Sequence, residues 1–170
     1  SIGGLFALQA HLSGVGATGM VLLNTLRTIG PRIAWINDAV VRTMEVGGPQ
    51  LMGDIMTPLI WGPAWLSANR SNFLQDEADY TPLDKNSGAY NLLSNMGAAD
   101  WDVKYEDIDC PVLVVMGLQD RVFYDAEVVA QLMRRIADVR RVDIPDAGHM
   151  LPLEAPADLI RELEQFANNL

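Results

Sequence analysis

The last third of the chain alternates apolar runs with amphipathic segments, and this pattern constrains the fold more than any other feature. Residues 111–116 form a continuous apolar run rich in β-branched residues, typical of a strand buried on both faces. Residues 125–138 carry apolar side chains on one helical face. Residues 140–144 predict a second, more polar strand nearer the sheet edge, and a final helix begins at Pro156. This order predicts an α/β protein with a parallel sheet and flanking helices.

The beginning of the chain adds one helix and one strand to this plan. Residues 2–12 repeat leucine at helical spacing, and Gly14 and Gly16 predict the end of that helix. Residues 20–24 form a short apolar run that fits a buried strand. Three strands would leave a long apolar sheet edge exposed, so we expect this sheet to pair with further strands.

The middle of the chain has a different character, because Gly-Pro and Thr-Pro steps break it into short helical pieces rich in Met, Trp, Ile and Leu. The predicted breaks are Gly30-Pro31, Gly47-Gly48-Pro49, Thr57-Pro58, Gly62-Pro63 and Thr81-Pro82. We interpret the region as a helical cap inserted into the core. For any single large apolar residue in it, simple packing is the competing interpretation. The predicted boundaries are 1–27 for the first part of the core, 28–97 for the cap and 98–170 for the last part of the core.

Composition excludes several classes of function. The net charge of −10 disfavours nucleic acid as a partner, because an acidic surface repels phosphate backbones. No run approaches 18 uninterrupted apolar residues, so we expect no membrane span. The single cysteine, Cys110, allows no internal disulfide and favours a cytoplasmic location. Two histidines without a CxxC or HExxH pattern argue against a metal site.

Two polar residues follow the predicted strands of the last third. Asp120 lies four residues beyond Met116, and His149 lies four residues beyond Pro145. Because the carboxyl ends of adjacent parallel strands meet at one sheet edge, we expect the carboxylate and the imidazole to hydrogen-bond there. A carboxylate behind a histidine fixes the tautomer and stabilises the imidazolium that forms when the histidine takes a proton.

Ser1 is the candidate nucleophile for such a histidine. It directly precedes the first predicted helix, whose N–H groups and dipole favour a developing oxyanion. Gly3 and Gly4 provide the small neighbours that a sharp strand-to-helix turn requires. Competing interpretations are that Ser1 is a processing scar and that Asp120 only forms a turn. A free amino-terminal serine acting with its own amine as base, on an unrelated fold, is a further alternative.

Three segments together resemble the α/β-hydrolase family. Residues 1–7 look like the second half of its G-x-S-x-G nucleophile elbow. Residues 111–122 resemble the acid strand and loop, and residues 144–156 closely resemble the histidine loop and final helix. The chain order Ser, Asp, His is also the family's order. The resemblance covers about residues 1–27 and 97–170, while the middle matches only as a cap of variable sequence.

The resemblance implies a catalytic triad of Ser1, Asp120 and His149, with the backbone N–H of Ile2 as one oxyanion donor. It implies no metal and no organic cofactor. The strands before the elbow, and the loop that gives the second oxyanion donor, do not occur in this sequence. We therefore expect this chain to be the carboxy-terminal portion of a hydrolase. Its amino-terminal half, roughly 100 residues in the family's usual layout, would be a second chain or a missing segment.

The expected substrate is a small, fairly apolar carboxylic ester or lactone, cleaved through an acyl-serine. The Met- and Trp-rich cap predicts an apolar pocket, with Trp61, Trp65 and Met150 as candidate lining residues. The same triad also fits hydrolysis of a carbon–carbon bond in a diketone, and acyl transfer. A non-catalytic ligand receptor on the same scaffold is the alternative from another class. The sequence leaves a homo-oligomer open.

Three other polar residues have simpler predicted roles. His11 lies inside the first helix and is predicted to be structural. Asp146 is predicted to form a turn, and Glu154 to cap or pair near the last helix.

Overall fold

The computed structural model describes residues 1–76 and 79–170. Its three strands are β1 (Met20–Leu23), β2 (Val112–Gly117) and β3 (Val139–Ile144). They form one parallel sheet in the order β1-β2-β3. The predicted parallel α/β fold is therefore confirmed. The polar run predicted near a sheet edge is β3, one of the two outer strands of this sheet in the described residues.

Helices cover this sheet and fill the long connection between β1 and β2. The α-helices of the described residues are α1 (Ile2–Leu12), α2 (Pro31–Ile60), α3 (Pro63–Asn69), α4 (Gly88–Ser94), α5 (Ala126–Met133), α6 (Leu151–Glu154) and α7 (Pro156–Ala167). Short 3₁₀ turns occur at Arg70–Asn72, Met96–Ala98 and Tyr105–Asp107. The proposed cap boundaries stay a prediction, and residues 77 and 78 within them lie outside the described residues.

The core lies on both faces of β2, which is buried at every position. Because side chains alternate across a strand, its residues divide between two clusters. Val114 packs with Leu5 and Leu8 of α1 on one face. Leu113 packs with Leu151 on the other face. Burial on both faces explains why the strand is a continuous apolar run rather than an alternating one.

Two helix boundaries differ from the sequence prediction. The predicted break at Thr57-Pro58 is wrong, because α2 continues to Ile60. Pro58 lies in the last turn, where its fixed φ suits the helix and its missing N–H removes only one hydrogen bond. The helix predicted over 125–138 ends at Met133, because the N–H of Ile136 bonds back to the Met133 carbonyl in a tighter turn.

The predicted break at Gly47-Gly48-Pro49 is confirmed as a kink within α2, where Gly48 has a φ of 63°. Although α2 is 30 residues long, none of the helices in the described part of the chain combines the length and apolarity needed to cross a membrane.

Candidate active site

Asp120 and His149 meet at the carboxyl edge of the sheet. Asp120 follows β2 and His149 follows β3, so adjacent parallel strands bring the two loops together. Nδ1 of His149 lies 2.6 Å from Oδ2 of Asp120. An ionised carboxylate can only accept, so Nδ1 carries the proton and the lone pair of Nε2 is available as a base.

Backbone donors hold the second oxygen of Asp120. Oδ1 accepts from the N–H groups of Val122 and Phe123, at 3.1 and 2.9 Å. Asp120 is 2% exposed, and its two oxygens accept hydrogen bonds from all three of these donors. This arrangement fixes the direction of Oδ2, and with it the plane of the His149 ring.

The end of α2 contacts both of these loops. The Ile60 carbonyl accepts from the N–H of His149 at 2.6 Å, and the Leu59 carbonyl accepts from the N–H of Arg121 at 2.9 Å. These are helix-end carbonyls, which lack partners within their own helix. A Cβ on Gly148 would lie 2.2 Å from the Ile60 carbonyl oxygen, so the close approach requires glycine beside the histidine.

Glu154 ties the same elements together through three N–H groups. Its Oε2 accepts from Gly62 at 2.6 Å and from Gly148 at 3.0 Å, and its Oε1 accepts from Met150 at 3.0 Å. The sequence predicted only a capping or pairing role near the last helix. The structure shows that Glu154 anchors the backbone on both sides of His149.

Asn24 is a site residue that sequence reasoning missed. It is 3% exposed, and its φ is 47°. Its Nδ2 donates to the carbonyls of His149 and Gly148 at 2.9 and 3.2 Å, and its Oδ1 accepts from the N–H of Gly117 at 2.8 Å. Asn24 therefore joins the ends of β1 and β2 to the histidine loop. An asparagine directly after an apolar run was the available signal, because Asn tolerates positive φ better than most residues.

Ser1 lies at the start of α1, beside the end of β1. Its backbone nitrogen donates to the Leu23 carbonyl at 2.6 Å, and its Oγ accepts from Nη2 of Arg27 at 3.4 Å. A Cβ on Gly4 would lie 2.1 Å from Oγ1 of Thr25, so this approach of α1 to the strand end requires glycine.

Among the hydrogen bonds of the described residues, none joins Ser1 to His149. The two are connected through intervening side chains. The Arg27 guanidinium lies 4.1 Å from the centre of the Phe123 ring, and that ring lies 4.9 Å from the centre of the His149 imidazole. Ser1 thus lies near the acid–histidine pair, but its hydroxyl bonds to the side chain of Arg27 rather than to that of His149.

Ser1 borders a small, largely apolar cavity of about 80 Å³. Apolar side chains form most of its wall, among them Ile29, Ile33, Met96, Trp101 and Phe123. Arg27 is also part of this wall.

The three predicted pocket residues have other surroundings. Trp65 borders a separate cavity of about 260 Å³ with Asp54 and Phe73, and Trp61 stacks on Trp65 with ring centres 3.6 Å apart. Met150 donates its N–H to Glu154. Their contact with substrate stays a prediction.

The remaining histidine has a structural partner. Nε2 of His11 lies 3.0 Å from Oδ1 of Asp109, close to the buried Cys110. Across residues 1–76 and 79–170, no three His, Cys, Asp or Glu side chains form a group that could hold a metal ion.

The parallel sheet, with an acid and a histidine at adjacent strand ends, defines the class of protein. The model of the α/β-hydrolase family matches residues 1–162. The chain belongs to the α/β-hydrolase family. No curated protein sequence matches the chain.

Solved structures show the same fold at low sequence identity. A thermophilic esterase from Thermogutta terrifontis matches with a TM-score of 0.72 and 20% identity, over 99% of this chain and 62% of that chain. An α/β hydrolase from a Medee basin deep-sea metagenome library matches with a TM-score of 0.79, 20% identity and the same coverage. The enol-lactonase from Burkholderia xenovorans gives a TM-score of 0.70, 20% identity, and coverage of 99% and 63%. The chain therefore spans less than two thirds of each of these proteins.

Proposed function

We propose that this protein hydrolyses a small, apolar carboxylic ester or lactone through an acyl-serine intermediate. The observation that carries the proposal is the 2.6 Å contact between Asp120 and His149 at adjacent strand ends. In a chain of the α/β-hydrolase family, this pair together with Ser1 at the start of α1 supports a catalytic triad. Esterases and an enol-lactonase among the structures of the same fold are consistent with this reaction class.

In the proposed mechanism His149 is the base. Its Nε2 takes the proton of the Ser1 hydroxyl as Oγ attacks the substrate carbonyl, and Asp120 stabilises the resulting imidazolium. His149 then returns the proton to the leaving alcohol. Water hydrolyses the acyl-serine by the same route in reverse. Ser1 Oγ must first leave its contact with Arg27, which a rotation about χ1 can achieve.

The amino terminus of α1 supports the oxyanion in this mechanism. Ile2 is the first residue of the helix, so its N–H has no acceptor within α1. That N–H and the positive end of the helix dipole would stabilise the negative charge on the former carbonyl oxygen.

A serine-directed fluorophosphonate probe tests the proposal in the full-length enzyme. We expect Ser1 to be labelled, and Ser1→Ala to lose both labelling and at least about 10⁴-fold in turnover of p-nitrophenyl butyrate. Ser13→Ala is the matched control, because Ser13 is exposed and only caps the end of α1. Retained labelling and turnover in Ser1→Ala would overturn the assignment. Complete absence of labelling in the wild type would favour the non-catalytic receptor.

The product distinguishes hydrolysis from the two related reactions. With an added alcohol, an acyltransferase forms a new ester, whereas the proposed hydrolase forms the free acid. Turnover of a diketone with no turnover of any ester would favour carbon–carbon bond hydrolysis.

A further inference from the structure

Arg27 is a buried cation in the wall of the cavity that Ser1 borders. Its side chain is 4% exposed. Nε donates to the Thr25 carbonyl at 3.3 Å, and Nη2 donates to the Asn24 carbonyl at 2.6 Å and to Ser1 Oγ at 3.4 Å. Within residues 1–76 and 79–170, no carboxylate forms a salt bridge with Arg27, and its Nη1 has no acceptor.

Two aromatic rings hold the guanidinium in place. Its central carbon lies 4.1 Å from the centre of the Phe123 ring and 4.9 Å from the centre of the Trp101 ring. Such contacts attract a cation without neutralising its charge. Burial lowers the pKa of Arg27 to about 10, so the group stays charged at neutral pH.

The buried carboxylate whose charge acts on Arg27 already has a hydrogen-bond partner on each oxygen. Asp120 directs one oxygen to His149 and the other to the N–H groups of Val122 and Phe123. The Arg27 charge is therefore fixed beside the nucleophile without a carboxylate of its own among the described residues. A buried cation of this kind is costly unless an anion pairs with it.

We propose that Arg27 binds a carboxylate group of the substrate, so that the preferred esters or lactones carry an anionic substituent close to the scissile carbonyl. The reaction in this statement rests on the proposed function, whereas binding of the anion does not. Nη1 supplies the free donors, and Nη2 is released to the ligand when Ser1 Oγ turns toward His149.

A monovalent carboxylate fits this site better than a phosphate. Apart from Arg27, the cavity is walled mainly by apolar side chains such as Ile29, Ile33 and Met96. One guanidinium balances one negative charge, and a dianion would leave a second charge in apolar surroundings.

Two matched esters test the proposal in the full-length enzyme. Mono-p-nitrophenyl glutarate and p-nitrophenyl pentanoate have acyl chains of the same length, and they differ in a terminal carboxylate replacing a methyl group. We expect kcat/KM to favour the glutarate ester in the wild type. Arg27→Gln should reduce the glutarate-to-pentanoate ratio about 10- to 100-fold, the range for a lost hydrogen bond to a charged group. Arg27→Lys should reduce it less, because the charge remains.

Arg134→Gln is the control, because Arg134 is an exposed cation at the end of α5 that borders neither of the two cavities lined by Arg27. Its glutarate-to-pentanoate ratio should equal that of the wild type. An unchanged ratio in Arg27→Gln, or no preference for the glutarate ester in the wild type, would overturn the carboxylate site. Ser1-dependent turnover of the pentanoate ester would leave the proposed hydrolase intact in either case.

Calorimetric binding of glutaramate, the half-amide of glutarate and a monoanion at neutral pH, tests the site without ester hydrolysis. We expect binding to wild type that weakens about 10- to 100-fold in Arg27→Gln. Equal affinity for the two proteins, or no binding to the wild type, would contradict the proposal even if neither ester is hydrolysed. If Arg27→Gln does not fold, the wild-type ester preference and the glutaramate affinity of Arg27→Lys provide the same decision.

Discussion

The two sides of the candidate site are held in different ways. On one side, Asp120 and His149 contact each other directly. Backbone groups of α2 and of their own loops fix them, together with the side chain of Asn24 after β1. On the other side, Ser1 contacts Leu23 and Arg27 and does not reach His149 by a hydrogen bond within the described residues. The acid–histidine side is thus assembled within this chain, whereas the serine side depends on the position of one helix.

The largest expected effect comes from removing the carboxylate on the well-held side. Asp120→Asn should keep the fold but present an amide to Nδ1 of His149, which favours the wrong tautomer. We expect turnover of p-nitrophenyl butyrate to fall about 10⁴-fold, the size of loss that follows when a triad histidine is held in the wrong tautomer. Steady-state kinetics measure this loss.

Asp146→Asn is the matched control for Asp120→Asn. Asp146 is exposed in the same histidine loop, and its side chain makes no hydrogen bond among the described residues. Its turnover should equal that of the wild type. If Asp120→Asn kept wild-type turnover, the role of Asp120 would be structural.

The second effect concerns Asn24, which joins three strand ends. Asn24→Ala leaves the buried N–H of Gly117 without an acceptor and two histidine-loop carbonyls without donors. We expect the free energy of unfolding to fall by about 1–3 kcal/mol. We expect kcat to fall about 10- to 100-fold, because a small misplacement of His149 is costly. Urea unfolding and kinetics measure the two losses.

Asn24→Asp separates the contributions to this effect. The aspartate keeps an acceptor for Gly117 but turns a second oxygen toward the carbonyls of Gly148 and His149. The regained acceptor for Gly117 should raise the free energy of unfolding above that of Asn24→Ala. Repulsion between the new oxygen and the two carbonyls should keep it below that of the wild type and keep kcat low. Full activity in both variants would show that the histidine loop does not need Asn24.

The contrast between the two sides also explains what could be predicted from sequence. Local pattern alone predicts two strands, at residues 111–116 and 140–144. The carboxyl ends of adjacent parallel strands meet at one sheet edge, which places Asp120 close to His149. These inferences need only neighbours in sequence and one rule of topology. The parallel fold and the closeness of the acid and histidine loops follow from them.

Other features depend on contacts between distant segments, which local patterns do not encode. The role of Asn24 could not be predicted from local sequence, because its hydrogen-bond partners lie in β2 and in the later histidine loop. The isolation of Arg27 depends on Trp101 and Phe123, which arrive from separate parts of the chain. Likewise, apolar character alone could not decide that Trp65 borders a cavity apart from Ser1.

The third effect concerns Gly4, which lets α1 approach the end of β1 on the serine side of the site. In Gly4→Ala the new Cβ would lie 2.1 Å from Oγ1 and 2.6 Å from Cγ2 of Thr25, so α1 must shift away from the end of β1. We expect unfolding free energy to fall by about 1–3 kcal/mol, the range for overpacking. We expect kcat to fall about 10-fold as Ser1 moves with its helix.

Gly3→Ala is the matched control, because its Cβ would meet no atom within 4 Å. It should be neutral or slightly stabilising, since alanine is the better helix former. Combining Gly4→Ala with Thr25→Ala removes the two closest atoms and should restore part of the loss. If the double variant lost as much stability and kcat as Gly4→Ala alone, the clash with the Thr25 side chain would not be the cause of those losses.

The smallest expected effect tests how strongly the end of α2 and the histidine loop depend on each other. Glu154→Gln keeps one acceptor oxygen but turns an NH₂ group toward N–H donors from Gly62, Gly148 or Met150. Because Ile60 still accepts from His149, the loop should loosen rather than unfold. We expect kcat to fall about 3- to 10-fold, since charged hydrogen bonds contribute more than neutral ones.

Glu164→Gln changes an exposed carboxylate on α7 and should leave kcat unchanged. An increase in KM with unchanged kcat would mean that Glu154 acts on substrate access through α2. Equal kcat in both variants would show that the Ile60 contact alone positions His149.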